Sequence, residues 1–292
     1  MSGKLYVVAT PIGNLGDMSE RAVETLKSVD LIAAEDTRNT AKLLSHFDIH
    51  TPMSANHKFN ERAALDRFTG ALLSGQDVAV VSDAGTPGIN DPGFYRVEEC
   101  VKLGIEVVGI PGSCAAAPVV SFSGLPSDTF CFMGFFPREK KAREEILEYI
   151  GSNRRELYVF YESPNRVIET FKVLAEAYPE DRAALCNDLT KLHERIYRGT
   201  VTEVLSELSA NPNADKGEYA FALYHEPAEA EETSSEGLSL EAMLIDIMVK
   251  RNCTLKDAVN ILATDKDANS TGKVPASKKE IYQASLNLKE LF

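Results

Sequence analysis

An apolar run, Val78–Val81, ends abruptly in a stretch from Ser82 to Gly93 that reads SDAGTPGINDPG. From Val81 onward, thirteen residues hold three glycines, two prolines and two aspartates. Glycine permits positive φ and close approach of backbone to a ligand, whereas proline fixes φ. The combination predicts a rigid, shaped loop, since a plain turn needs only about two to five residues. A shaped loop directly after a buried strand is where open α/β sheets bind ligands. This feature points to an α/β architecture with its site at strand C-termini.

The first half of the chain repeats the pattern. Residues 5–9, 31–34, 78–81 and 105–110 are continuous apolar runs that read as strands. Helical spacing follows them: a helix capped by Asp17 or Ser19 and running to about Leu26, then 37–47, 61–73 and 94–103. Continuous rather than alternating strands, separated by helices, predict a mostly parallel sheet covered on both faces.

A second α/β unit follows a boundary near Gly124–Asp128, giving expected domains of 1–124 and 125–226. Residues 129–134, 157–161 and 183–188 read as strands, and 141–150 and 165–178 as helices. The end differs: 194–199 and 218–225 have the alternating character of antiparallel strands, with a helix at 201–209 between them. Residues 227–237 are acidic, small and free of aromatics, the composition of a linker. Three short helical patterns close the chain at 240–249, 255–263 and 279–288, with Thr254 and Ser277 as expected N-caps. Some 55 residues, 238–292, make a small helical module, of helix-turn-helix type or plain packing.

Bulk properties exclude several classes. The 292 residues are 44% hydrophobic and 26% charged, ordinary for a soluble globular protein. No apolar run approaches the roughly 18 residues of a membrane span, and the N-terminus lacks the apolar region of a signal peptide. Five scattered cysteines without a CxxC pair read as reduced thiols in a cytoplasmic protein, none of them a nucleophile. The net charge of −13 weighs against a nucleic-acid partner. Basic clusters at Arg138–Arg143, Arg154-Arg155 and Lys278-Lys279 keep that reading open. His46 and His50 stand four apart without a third ligand nearby, so no metal is expected.

Four further loops sit at strand ends. Residues 10–17, TPIGNLGD, lack both GxGxxG and GxxxxGK[ST], which disfavours NAD and ATP. Glu35-Asp36-Thr37-Arg38 is either a capped helix start or a charged group at a cleft. In residues 110–117, IPGSCAAA, small residues allow close approach, and Ser113 can cap a helix and bond a ligand. Residues 160–166, FYESPNR, combine aromatics, a carboxylate and an arginine.

Together with Gly124-Leu125-Pro126-Ser127-Asp128, these motifs resemble the family of ribosomal RNA small subunit methyltransferase I. That family lies within the tetrapyrrole-methylase-like, class III S-adenosylmethionine-dependent superfamily. The resemblance spans essentially the whole chain. It implies two α/β domains of the tetrapyrrole methylase type with the cofactor cleft between them, plus a small C-terminal helical module. It further implies 2′-O-methylation of a cytidine in the decoding region of 16S rRNA, and a homodimer.

On that resemblance the S-adenosylmethionine site comprises Pro11, Ser82, Asp83, Ala84, Gly85, Ile89, Ser113 and Cys114. Tyr161, Leu189 and Ala222 join them from their places at strand ends of the second domain. Glu35, Asp36 and Arg38 are the catalytic candidates, one carboxylate taking the proton of the ribose hydroxyl. Arg38, Glu162 and Arg166 are the candidates for positioning RNA, with Lys191, His193 and Glu194 as a second group. With so acidic a chain, docking to the assembled 30S subunit is expected to matter more than affinity for naked RNA. Two competing readings are methylation of a tetrapyrrole and non-catalytic binding to a ribosomal particle.

Overall fold

Short apolar runs of this kind satisfy their backbone groups only by pairing with one another, and four of them do so in one wholly parallel sheet, with a fifth, three-residue strand at its edge. The five are β1 (Leu5–Val8), β2 (Leu31–Ala34), β3 (Met53–Ala55), β4 (Val78–Val81) and β5 (Val107–Ile110), in the order β3-β2-β4-β1-β5. The computed structural model describes residues 2–55, 68–90, 94–152, 156–226, 239–264 and 277–289. The expected helix start at 61–67, the loop end Asp91-Pro92-Gly93, the pair Arg154-Arg155 and the acidic linker 227–237 lie outside these residues.

Both faces of the parallel sheet are covered, which is why its strands read as unbroken apolar runs. Val8, Ile32, Ala34, Ala79 and Val81 pack under helices α1 (Glu20–Ser28) and α2 (Thr37–His46) through Ala22, Leu26 and Leu44. Leu5, Ala33, Val78 and Val80 pack on the opposite face against Phe68, Leu72, Cys100 and Ile105. Cys100 belongs to helix α3 (Phe94–Lys102). Ser19, rather than Asp17, caps α1, its hydroxyl accepting from the amide of Ala22 at 3.2 Å. Strand β3 is one the sequence pattern does not announce. Its three residues, just after Pro52, make no apolar run, and only pairing with β2 reveals them.

The second sheet is mixed, in the order β6-β7-β10-β8-β9. Its strands are β6 (Phe130–Phe135), β7 (Glu156–Glu162), β8 (Arg182–Asn187), β9 (Arg195–Thr200) and β10 (Tyr219–His225). Strands β6 and β7 are parallel; β10 runs antiparallel to both β7 and β8, and β9 antiparallel to β8. One face packs on α6 (Val167–Ala177) and α7 (Val201–Ala210), with Ile150 of α5 (Lys140–Ser152) joining the same core. Phe221 is its centre, stacked on Phe160 at 5.0 Å between centroids and edge-on to Phe171 at 5.3 Å.

The other face of this sheet is closed by α4 (Ala116–Phe122), the helix that leaves β5 of the first sheet. Ala116, Val119 and Val120 lie against Leu157, Val159, Cys186, Ala220 and Ala222. A helix that precedes Gly124 in the chain thus packs on the second sheet. Residues Met1–Glu226 form one compact unit, and Pro227–Phe292 a second.

Within the second unit, helices α8 (Leu240–Arg251), α9 (Leu255–Thr264) and α10 (Lys278–Lys289) bury Leu244, Ala258, Leu262, Ile281, Ala284 and Leu288 together. Thr254 and Ser277 both cap, each exchanging hydrogen bonds with the acid three residues on, Asp257 and Glu280. Those hydrogen bonds hold both carboxyls below the usual carboxylate range. Among the described residues no helix is long and apolar enough to cross a membrane.

Because Phe221 is fully buried between two aromatic rings, truncation leaves a cavity that the sheet has no means to collapse. Phe221→Ala is expected to lower unfolding free energy by about 3–5 kcal/mol, measured by urea denaturation of the full chain.

Candidate active site

The loops that leave β1, β4 and β5 emerge side by side, because those three strands are adjacent in the sheet. Two of the loops are then tied together. Thr10 and Gly85 form an isolated antiparallel bridge: the amide of Thr10 donates to the carbonyl of Gly85 at 2.9 Å, and the reverse bond measures 3.0 Å. The hydroxyl of Thr10 donates to the carbonyl of Ser82 at 3.2 Å, so the whole β4 loop folds back onto β1. Gly85 has φ +87°, a conformation that side chains oppose. The β5 loop joins through the hydroxyl of Thr86, which donates to the carbonyl of Ser113 at 3.0 Å.

Opposite these loops stand the ends of β6, β7 and β8 and the start of β10. Between the two sets lies a cavity of about 360 Å³. Ile12, Ala84, Gly85, Thr86, Ile89, Asn90, Cys114 and Ala115 line it from the first sheet's loops. Phe135, Tyr161, Glu162, Ser163, Pro164, Leu189, Glu218, Tyr219 and Ala220 line it from the second sheet. Small residues at Ala84, Gly85, Ala115 and Ala220 give a ligand access to backbone, while Ile12, Ile89 and Leu189 present apolar surface. This mixture of apolar wall and few polar groups is the usual make-up of a small-molecule site.

The rear wall is held under backbone strain. Asp188 and Thr190 flank Leu189 with φ +52° and +65°, the latter unusual for a β-branched residue. Lys191 holds the segment, its ammonium bonding Asp188 at 2.7 Å and Glu218 at 2.9 Å. The amide of Thr190 donates to Glu194 Oε2 at 2.6 Å. The β1 loop presses directly on it: a Cβ at Gly13 would lie 2.6 Å from Lys191 Cγ and 3.0 Å from the Leu189 carbonyl. Lys191 and Glu194 therefore shape the wall.

A second, smaller cavity of about 240 Å³ lies on the other side of the tied loops, lined by Thr10, Pro11, Gly13, Leu15, Asn39, Thr40, Lys42, Leu43, Ser82 and Asp83. Here the carboxylate of Asp83 accepts from the amide of Asp36 at 3.0 Å and from the side chain of Asn39 at 3.1 Å. Asp36 caps α2, accepting from the amide of Arg38 at 2.8 Å, and ion-pairs with the Arg38 guanidinium at 2.7 Å. Glu35 Oε2 stands 3.5 Å from the amide of Asp83.

Residues 4–205 match the model of the tetrapyrrole (corrin/porphyrin) methylases. A protein of Escherichia coli O157:H7 named ribosomal RNA small subunit methyltransferase I is 43% identical over 243 residues, 83% of this chain and 85% of that one. Its namesake in Synechocystis is 40% identical over 287 residues, 98% of both chains. The chain belongs to the tetrapyrrole methylase family, in the branch of ribosomal RNA small subunit methyltransferase I. It is a methyltransferase. The fold is shared with a solved cobalt precorrin-4 methyltransferase at 15% identity and TM-score 0.56, covering 75% of this chain and 94% of that one.

For this methyltransferase the residues named from the sequence fall into three groups. Ala84, Gly85, Ile89, Cys114, Tyr161 and Leu189 line the large cavity. Pro11, Ser82 and Asp83 line the small one. Ser113 and Ala222 line neither. Ser113 does not cap α4: the N-cap position is Ala115, with no side-chain bond, and the Ser113 carbonyl accepts from Thr86. Ala222 is fully buried in mid-strand against α4, and β10 reaches the cavity two residues earlier, at Ala220. Thr86 and Asn90 lie in the loop after β4 but were not named as site residues, and Phe135 stands one residue past the expected strand 129–134, which the structure extends to it.

Glu162 and Arg166 face inward more than a charged rim would. The Glu162 side chain is fully buried, ion-paired to Arg166 at 3.0 Å and accepting from the hydroxyl of Thr170 at 2.6 Å. Arg166 also donates to the carbonyls of Phe136 and Pro137, pinning the end of β6 to β7. The Glu162 carboxylate is spent inside the fold, whereas the Arg166 side chain stays 23% exposed with its guanidinium already engaged. Burial pushes the Cys100 thiol up to about 11 and that of Cys186 up to about 12, so both remain protonated and inert at neutral pH.

A buried carboxylate deprived of its cation is expensive. Arg166→Met is expected to cost about 3–5 kcal/mol of stability, read by chemical denaturation. The double variant with Glu162→Gln is expected to lose less than the two singles combined.

Proposed function

We propose that this chain transfers a methyl group from S-adenosylmethionine to the ribose 2′-hydroxyl of a cytidine in the decoding region of 16S rRNA. The substrate is the assembled small ribosomal subunit, and the enzyme works as a cytoplasmic homodimer. The reading is carried by 40% identity along 98% of the Synechocystis ribosomal RNA small subunit methyltransferase I, in a chain whose loops frame a ligand-sized cavity.

The cavity of about 360 Å³ fits the cofactor on three counts. Its volume falls within the roughly 300–1,000 Å³ of small-molecule sites. Apolar faces at Ile12, Ile89 and Leu189 suit an adenine ring, and the small residues around Gly85 admit polar groups to backbone donors and acceptors. The rings of Phe135 and Tyr161 suit a sulfonium, whose positive charge an aromatic face attracts. When bound, the cofactor supplies an electrophilic methyl group, so the protein's task is chiefly to hold the ribose oxygen in line at about 3 Å.

A ribose hydroxyl is a weak nucleophile, and a carboxylate beside it supports its deprotonation. Of the two candidates, Asp36 has its oxygens committed to the cap of α2 and to Arg38. Glu35 has one long contact, to the amide of Asp83, and is the better base. Arg38, its side chain 86% exposed, is free to turn toward phosphate at small cost, since exposed ion pairs contribute little. RNA over DNA follows from the reacting group, which DNA lacks.

The test incubates the purified protein with tritiated S-adenosylmethionine and 30S subunits from cells lacking their native 16S methylations. Label at one alkali-resistant cytidine is expected, with naked 16S RNA a poor substrate. Absence of transfer while cofactor still binds would overturn the reading. Glu35→Gln is expected to lower kcat by about 100-fold or more with cofactor affinity intact. Equal loss in Asp36→Asn alone, and none in Glu35→Gln, would move the base to Asp36.

A further inference from the structure

The small cavity beside α2 lies apart from the cavity proposed above for the cofactor, though Pro11, Ser82 and Asp83 line it, and its construction is that of a ligand site. The bridge between Thr10 and Gly85 makes the β1 and β4 loops into a thin partition. On one side Ile12, Ala84 and Gly85 face the large cavity; on the other Pro11, Gly13, Ser82 and Asp83 face the small one. At about 240 Å³ it is below the roughly 300–1,000 Å³ of drug-sized ligand sites, room for a single substituted ring.

An orphaned hydroxyl marks it. Thr40 lines the cavity at 4% exposure, and its Oγ1 has no hydrogen-bond partner among the described residues. Buried polar groups are ordinarily satisfied, so an unsatisfied one at a cavity wall indicates a partner supplied from outside. The flanking charge selects that partner. Asp83 already accepts two N–H groups and, as a carboxylate, keeps lone pairs for more. With Asp36 and Glu35 adjoining, the floor repels phosphate and favours a hydrogen-bond donor. Pro11 and Leu15 supply apolar walls, and Lys42 stands exposed on α2 among the lining residues.

From this we infer that the cavity is the subsite for the target nucleobase: an everted pyrimidine bearing an exocyclic amino group, that is, cytosine. The inference rests on the ribose-methylation reading and adds where the base is held and how it is told from uracil. The amino group donates to Asp83, the Thr40 hydroxyl bonds the ring edge, and Lys42 meets phosphate outside. Uracil places a carbonyl where cytosine has its amino group, acceptor against carboxylate. Reading a base this way requires it to leave the stack, as in other enzymes that act on extruded nucleotides.

The test uses full-length protein with isotope-labelled threonine methyl groups, titrated with cytidine 5′-monophosphate and uridine 5′-monophosphate. The Thr40 signal, assigned by its loss in Thr40→Val, is expected to move with the cytidine nucleotide and at least about five-fold more weakly with the uridine one. Thr40→Val is expected to raise KM for 30S subunits about five- to ten-fold, with cofactor affinity unchanged and Tm not lowered. A hydroxyl with only a structural part would leave KM unmoved, which would overturn the inference. Movement of Thr86, in the large cavity, without Thr40 would also overturn it, as would equal response to both nucleotides. If wild type fails to methylate 30S subunits, the ribose reading falls, and the nucleotide titration still decides the subsite.

Discussion

The reciprocal bonds between Thr10 and Gly85 are where the architecture of the site begins. A long loop after β4 would otherwise be free to cover or vacate the strand ends. Two backbone hydrogen bonds and the buried Thr10 hydroxyl, 2% exposed as a residue, fasten it to its neighbour strand. The fastening requires a residue at φ +87°, a backbone conformation that glycine adopts without strain. Everything downstream uses this ridge: the large cavity opens on one flank, the small one on the other.

The ridge alone makes half a site; the other half comes from a different sheet. Helix α4 leaves β5 beside the ridge and packs on the second sheet against Leu157 and Ala220, so the apolar contact that stabilises the unit also sets the cavity's width. The 188–191 segment completes the wall, with two non-glycine residues at positive φ held by Lys191 and Glu194. Strain of this kind persists only where surrounding contacts over-determine it. Gly13 fits because nothing larger would clear Lys191 and the Leu189 carbonyl.

Parallel strands buried on both faces leave a plain trace in the sequence, so β1, β2, β4 and β5 were legible as apolar runs. Strand β3 was not, because three residues at an edge carry no periodicity. Loops at strand ends were legible through glycine and proline, and they do frame both cavities. Side-chain direction was not. Glu162 and Arg166 looked like a charged rim because four residues of sequence separation says nothing about inside or outside. In the fold Glu162 points into the protein, where only an ion pair makes its burial tolerable. Ala222 failed by register: Ala220 and Ala222 share a face of β10, and only the strand's end reaches the cavity.

Acidity first weighed against RNA, and the position of the acids changes that weight. A net charge of −13 does reduce non-specific attraction to a phosphate backbone. An enzyme that must find one nucleotide in a large particle gains from that reduction, because weak non-specific binding raises the ratio of right to wrong sites. Glu35, Asp36 and Asp83 gather at the start of α2, beside the small cavity rather than over the open surface. A carboxylate there rejects phosphate and accepts from an amino group, so the same charge that weakens attraction at long range sharpens selection at contact. On the proposed function, affinity comes from docking to the folded particle, and the short-range chemistry is left to choose the base.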